Sequence, residues 1–234
     1  MPYLFETHMH ASQASACAIA SGADMARAYI KAGYSGIVVT DHFFNGNCAI
    51  PRGLPWKERV KRFISGYLDA KAEGDKSGLT VLFGLEYNYD GAEFLTYGLE
   101  PDFLFDNPNV DRLHPREYIR LVKACGGFLS QAHPFRERDY IYGIHLYHET
   151  EGVEAINESH YYAPDGGEFD RRACEYAADR NKIMTAGSDA HSVDGINGTG
   201  TLFDDKINNN ADFLNALRKN THKLILRGSE YKIK

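Results

Sequence analysis

Seven side chains able to bind a metal fall at the ends of successive apolar runs. No other feature of the chain constrains its fold as much. His8 and His10 lie in FETHMHAS, His42 in VVTDHF, Glu86 in LFGLEYNY, His133 in SQAHPF, and Asp189 with His191 in AGSDAHS. Imidazole and carboxylate are ligands of zinc, manganese and iron centres. His8 and His10 are two apart, as are Asp189 and His191, and residues i and i+2 of a strand share a face. Each pair can therefore reach one ion. A single His-x-His is as readily a surface accident, but two pairs and three single ligands in matching contexts point to a multinuclear metal site.

Between the ligands the chain alternates in character. Short apolar runs over 3–7, 36–40, 80–85, 93–99, 127–131, 152–156 and 182–186 read as strands. Helical spacing runs over 23–32, 55–76, 115–124, 169–181 and 212–219, with Gly33 as a helix stop and Pro115 as a helix start. Such alternation, with near-continuous apolar strands, predicts a parallel sheet flanked by helices. About seven such units fit a closed or nearly closed TIM-like barrel better than two sheets. Every candidate ligand follows its apolar run, and the C-terminal rim of such a barrel carries the active site. No Pro/Ser-rich linker, repeat or low-complexity segment interrupts residues 1–234, so one domain is expected.

The chain has 234 residues and a net charge of -6. That charge gives no broad attraction for nucleic acid or anionic membranes, so neither an extended nucleic-acid interface nor membrane association is expected. No signal-like run or membrane-length apolar stretch is present. Cys17, Cys48, Cys125 and Cys174 form no CxxC and no disulfide framework, and a cytoplasmic enzyme with reduced thiols is the expectation.

The ordered series HxH, TDH, GLE, AHP and GSDAH resembles the PHP superfamily of phosphoesterases, which includes histidinol phosphatases and a domain of bacterial replicative polymerases. The resemblance runs from Phe5 to about Lys223, and GIVVTDHF and AGSDAHS are its most specific parts. It implies an α/β fold of distorted (β/α)7 barrel type with two or three divalent metals (zinc, manganese or iron). It also implies hydrolysis of a small phosphorylated metabolite or nucleotide. By motif, His8, His10, Glu86 and Asp189 would surround one ion, Glu86 would bridge to a second bound by His133, and His42 and His191 would face a third. Glu86, Asp189 and His191 are thereby the expected catalytic residues. The chain departs from the pattern twice. ASQASACAIA offers no further histidine after the HxH, and EFLTYGL offers none after the bridging glutamate. His160 is a candidate to fill one gap and otherwise a loop histidine. Cys17 is a candidate thiolate for the third site and otherwise a buried structural cysteine.

Paired divalent ions acidify water and neutralise phosphoryl oxygens. Arg136, in AHPFR, is placed to fork onto a phosphate, or else forms a surface salt bridge. Asp41 is expected to orient an imidazole. Asn157 either contacts substrate or caps a loop. His145 and His148 read as loop residues, and His114 and His222 as structural or exposed. Tyr87, Tyr89, Tyr140, Tyr142, Tyr161 and Tyr162 fall in loops of the expected active face and either stack on a substrate ring or simply suit half-exposed loops. Two other classes compete. An amidohydrolase acting on a C–N bond also begins with HxH, but the carboxylate at Glu86 favours the phosphoesterase. A noncatalytic, metal-stabilised module would be expected to have lost ligands.

Overall fold

The computed structural model describes residues 2–139 and 141–232. In chain order they form β1 (Tyr3–Met9), α1 (Gly22–Lys31), β2 (Gly36–Val39), α2 (Trp56–Phe63), α3 (Ser65–Ser77), β3 (Thr80–Tyr89), β4 (Ala92–Tyr97), α4 (Asp102–Asp106), α5 (Pro115–Ala124), β5 (Phe128–Ala132), β6 (Gly152–Asn157), α6 (Gly166–Asp179), β7 (Ile183–Gly187), β8 (Gly200–Phe203), α7 (Asn210–Lys219), β9 (Lys223–Leu226) and β10 (Ser229–Glu230). Local sequence sets the helix starts. Ser21 caps α1 by accepting from Asp24 N, His114 and Glu117 form a capping box on α5 with Pro115 in the first turn, and Asn209 accepts from Asp212 N at α7. The single helix expected over 55–76 divides at Ile64, which ends α2 and begins α3.

The strands form one mixed sheet in the order β10-β9-β8-β1-β2-β3-β4-β5-β6-β7. The expected parallel pairing is present in two blocks, β1–β2–β3 and β5–β6–β7. It fails at β4, which is antiparallel to both neighbours, and at β8, β9 and β10, which run antiparallel beyond β1. The cause at β4 is local. Asp90 and Gly91 have φ of 50° and 83°, and they alone join Tyr89 to its partner Ala92. Positive φ at both central residues makes the tight hairpin turn whose twist matches the flanking strands. A hairpin leaves no room for a crossover helix, so the strict strand–helix alternation is broken there. Strand β3 also runs four residues past the expected end at Leu85, so Glu86 lies inside it.

β2, β5 and β6 are buried along their whole length, because apolar clusters cover both faces of the sheet. Met25, Tyr29, Val60, Phe63, Tyr87 and Tyr118 belong to one cluster, and Phe5, Tyr97, Phe128, Phe203 and Phe213 to another. The sheet curls into a half-barrel in which the β7 end folds back onto β1 beside the ligands. Asp189 N donates to His8 O at 2.8 Å and His10 N donates to Ala190 O at 2.9 Å, while the Thr7 hydroxyl reaches Ala186 O at 2.9 Å. Among the described residues no helix is long and apolar enough to cross a membrane.

Gly187 permits that close approach. A Cβ there would stand 2.6 Å from His8 Cβ and 2.9 Å from Glu154 Oε1. Gly187→Ala is therefore expected to destabilise the fold by about 1–3 kcal/mol through overpacking. Urea denaturation should show a lower midpoint at unchanged m. A loss below about 0.5 kcal/mol would mean that β7 and β1 separate without strain.

Candidate metal centre

All seven expected ligands meet at the rim where these strands end. His8 Nε2 lies 3.2 Å from His10 Nε2, 3.3 Å from Glu86 Oε1 and 3.5 Å from Asp189 Oδ1. His10 Nε2 lies 3.2 Å from Asp189 Oδ1 and 3.7 Å from Glu86 Oε2. His133 Nε2 approaches Glu86 Oε1 at 3.3 Å, and His42 Nδ1 approaches Glu86 Oε2 at 2.6 Å. His191 joins His10 and His42 in a group whose ligand atoms lie within 4.8 Å of one another. Except for His42 and His191 these residues are buried.

Outer hydrogen bonds fix which nitrogen of each ring carries the proton. Glu154 Oε1 sits 2.8 Å from His8 Nδ1, so that nitrogen donates and Nε2 keeps its lone pair. His10 Nδ1 faces the Ser15 hydroxyl at 3.1 Å, and that hydroxyl already donates to Asp41 at 2.7 Å. Ser15 must then accept from His10, which again leaves Nε2 unprotonated. His191 Nδ1 donates to Asp189 O at 2.8 Å. With both rings neutral, the form that binds metal, the Nε2 atoms of His8 and His10 turn lone pairs toward each other at 3.2 Å. His42 Nδ1 and Glu86 Oε2 are close but make no hydrogen bond, and both are buried without a partner. Convergent lone pairs of this kind fit a shared cation, and the donor set of imidazole and carboxylate suits a divalent metal.

The electrostatics are those of a buried cluster of paired charges, in which, against burial, Glu154, Asp189 and Glu86 raise His8 well above its usual range and Glu86 raises His42 to about 11. Burial alone would raise the carboxyl of Glu86, yet His8 and His42 hold it well below the usual range. Asp189 is likewise held low, against burial, by His8 and Arg136. Burial, reinforced by His42 and His191, keeps His10 neutral. The cluster therefore offers anionic oxygens and a neutral nitrogen, the forms that bind metal.

Several contributors were not singled out by the sequence reading. The Asp90-Gly91 hairpin brings Glu93 opposite Asn88, on the face that carries Glu86, and Glu93 Oε2 stands 3.5 Å from His133 Nε2. His42, Glu86 and Glu93 form a further ligand group. Glu93 thus occupies the region where a histidine was missing, and the Asp-Gly turn was the signal for it. Glu154 also accepts from His133 N and the Asn157 amide. Its signal was a charge inside an otherwise apolar strand. Asp41, expected to orient an imidazole, acts on His10 through the Ser15 hydroxyl.

Other expectations resolve differently. Arg136 is no surface residue. Its guanidinium donates to Asp189 Oδ2 at 2.6 Å, to Ser159 at 2.8 Å and to His160 Nε2 at 3.2 Å. His160 is thereby occupied, with Asp170 on its Nδ1 at 2.7 Å, and it belongs to none of the ligand groups. Asn157 joins the network through Glu154 and Asp189. Cys17 is exposed, not a buried structural cysteine. Burial opposes it, but hydrogen bonding to His191 and His42 pulls its thiol down to about 6. Tyr87 is a core residue stacked on Tyr118, whereas Tyr142, Tyr161 and Tyr162 are exposed. Tyr140 lies outside the described residues. His145 and His148 lie on the 141–148 loop and belong to none of the ligand groups, and His114 and His222 make structural contacts.

The cluster opens into a cleft of about 490 Å³ whose lining includes Cys17, Asn45, Asn88, Glu93, Arg136 and His191. Two of the ligands stand on unusual backbone, His133 with φ of 25° and Asp189 with φ of 55°.

Fold and cluster define the class, a curled α/β sheet carrying a buried imidazole–carboxylate centre suited to divalent metal. Residues 167–221 match the family described as PHP-associated. No curated protein matches the chain. A two-domain protein from Bacteroides vulgatus containing a predicted PHP-like metal-dependent phosphoesterase shares the fold, with TM-score 0.73 and 16% identity over 97% of this chain. The chain spans 65% of the length of that protein. A candidate metal-dependent phosphoesterase from Bifidobacterium adolescentis has TM-score 0.55 and 15% identity, covering 93% of this chain and 96% of its own. An amidohydrolase from Chromobacterium violaceum, solved with bound sulfate and no metal, has TM-score 0.54 and 13% identity, covering 80% and 87%. The PHP-associated match is confined to residues 167–221, and the solved structures share the fold of the chain.

Glu154→Gln tests the support of His8. The amide can present its N–H to the ring and release the nitrogen that the carboxylate fixes. Affinity for zinc or manganese should fall roughly 10- to 100-fold, read by competition with a chelating indicator. An unchanged affinity would show that His8 is oriented by packing alone.

Proposed function

We propose that the chain is a metal-dependent phosphoesterase acting on a small phosphorylated metabolite or nucleotide with two or three divalent ions. The observation that carries this reading is the position of Glu86. One buried carboxylate lies between His8, His10, His42 and His133 at 3.3, 3.7, 2.6 and 3.3 Å. A bridging ligand between neighbouring ions needs such a place. In this reading His8, His10, Glu86 and Asp189 hold one ion, Glu86 with His133 and Glu93 a second, and His42 with His191 a third. The sheet is read as a distorted (β/α)7 barrel over residues 1–234, with the β3–β4 hairpin as its distortion.

Bound divalent ions supply Lewis acidity that acidifies water and neutralises phosphoryl oxygen. The chain's own residues do the rest. Glu154 and Ser15 hold the His8 and His10 rings with their Nε2 lone pairs forward. Arg136 lines the cleft, tethered by Ser159, His160 and Asp189, so its fork is oriented before substrate arrives. A cleft of about 490 Å³ suits a small molecule. The amidohydrolase likeness keeps C–N hydrolysis as the second reading. A panel of phosphomonoesters, phosphodiesters and amides with manganese or zinc separates the two, and turnover of amides alone would overturn the first.

Glu86→Gln should abolish hydrolysis and lower metal content while leaving the fold intact, because a neutral amide bridges cations poorly. Turnover and metal content like those of the parent chain would refute the bridging role. Elemental analysis of protein purified without chelators should give more than one ion per chain, and one ion or fewer with full activity would sink the multinuclear reading.

Arg136→Ala should lower kcat/KM roughly 10- to 100-fold, from loss of about 1.5–3 kcal/mol of charge-assisted contact. Metal content should not change. Arg136→Lys should recover only part, since lysine keeps the charge and loses the fork. A change below about threefold would leave the phosphate to the metals alone.

A further inference from the structure

The outer part of the cluster is short of donors. An imidazole nitrogen has one lone pair. Nε2 of His10 lies 3.2 Å from both His8 Nε2 and Asp189 Oδ1, so it is committed to that inner set. It cannot also serve an ion held by His42 and His191, although the three rings form one group. His42 and His191 then supply two donors, fewer than the three protein ligands typical of an open zinc site. Cys17 lines the same cleft as both imidazoles, just outside the groups whose ligand atoms lie within 4.8 Å of one another, and hydrogen bonding to His191 and His42 acts on its thiol. Glu86 lines that cleft too, with a buried Oε2 that has no hydrogen-bond partner. The backbone holds the thiol in register with His191, because Ala16 N donates to Asn47 O and Ile19 N donates to His191 O, both at 2.9 Å.

We propose that Cys17 is a thiolate ligand that completes a sulfur–nitrogen donor set with His42 and His191 for a borderline-soft divalent ion such as zinc. On binding, the S–H bond breaks, the proton passes to solvent and a metal–sulfur bond forms. Thiolate favours zinc over magnesium or manganese at this position, while the oxygen-rich inner positions keep no such preference. Alkylation or oxidation of one exposed sulfur would then expel the outer ion and spare the inner ones. The inference rests on reading the cluster as a metal centre, and it does not depend on which bond the enzyme hydrolyses.

The test uses the full chain stripped and then loaded with zinc or cobalt(II). Iodoacetamide labelling is followed by peptide mass spectrometry, with exposed Cys125 as the internal standard. Cys17 should be alkylated roughly tenfold more slowly in the zinc-loaded protein than in the stripped protein, and Cys125 equally in both. The cobalt-loaded chain should show a sulfur-to-cobalt charge-transfer band. Cys17→Ala should lose that band and about one ion per chain, whereas Cys125→Ala should keep both. Should Cys17→Ala misfold by circular dichroism, the labelling and the band of the unaltered chain decide. Equal labelling, no band, full metal content in folded Cys17→Ala, or no zinc uptake at all would each overturn the proposal. Protection and a band in a protein that cleaves no phosphoester would keep the Cys17 assignment and discard the phosphoesterase reading.

Discussion

Two backbone hydrogen bonds, from Asp189 N to His8 O and from His10 N to Ala190 O, hold the last ligand pair against the first. His10 and Asp189 are 179 residues apart in the chain, yet their ligand atoms approach to 3.2 Å. The entropy of closing so long a loop grows only logarithmically with length. Register matters more than distance here. Slipping β1 by one residue would turn His8 and His10 to the other face and bring Thr7 and Met9 forward. The small residue at Gly187 and the Thr7–Ala186 contact narrow the gap to the one alignment in which both pairs face a common point.

Three buried acids stand behind that alignment, and they differ from the ligands in how they are satisfied. Glu6 accepts from His8 N, Ser188 N, the Ser188 hydroxyl and Tyr29. Glu154 binds His8, His133 and Asn157, and Asp41 binds Ala11 N and Ser15. Each is a buried acid held by several hydrogen bonds, though burial still raises Glu6 to about 7 and Asp41 to about 6. Glu86 is buried as deeply, but its Oε2 has no hydrogen-bond partner. The fold thus satisfies the acids that position and leaves one oxygen of Glu86, the acid proposed to bridge, unsatisfied.

What the sequence made readable was local. A strand's two-residue period shows in His-x-His and Asp-x-His, and the strand ends show in apolar runs that stop at a polar residue. What it concealed depended on partners far along the chain. Glu93 looks like an ordinary strand-edge charge until Asp90-Gly91 folds it back beside Glu86. Tyr87 follows a ligand directly, and the same two-residue period sends it to the opposite, apolar face. The break at Ile64 is invisible to periodicity because both flanking helices keep their apolar spacing. The expected parallel sheet failed where a two-residue turn outranked the alternation of strands and helices.

His133 and Asp189 hold positive φ without being glycine. Side chains in that region cost on the order of 1–3 kcal/mol each. At both positions the residue that would fold best is one that could not bind. Selection for stability alone would therefore push them toward glycine and erase the centre while the molecule grew more robust. Their persistence as histidine and aspartate would mark a lineage still selected for what the site does, and their drift to glycine would mark one retained only as a scaffold.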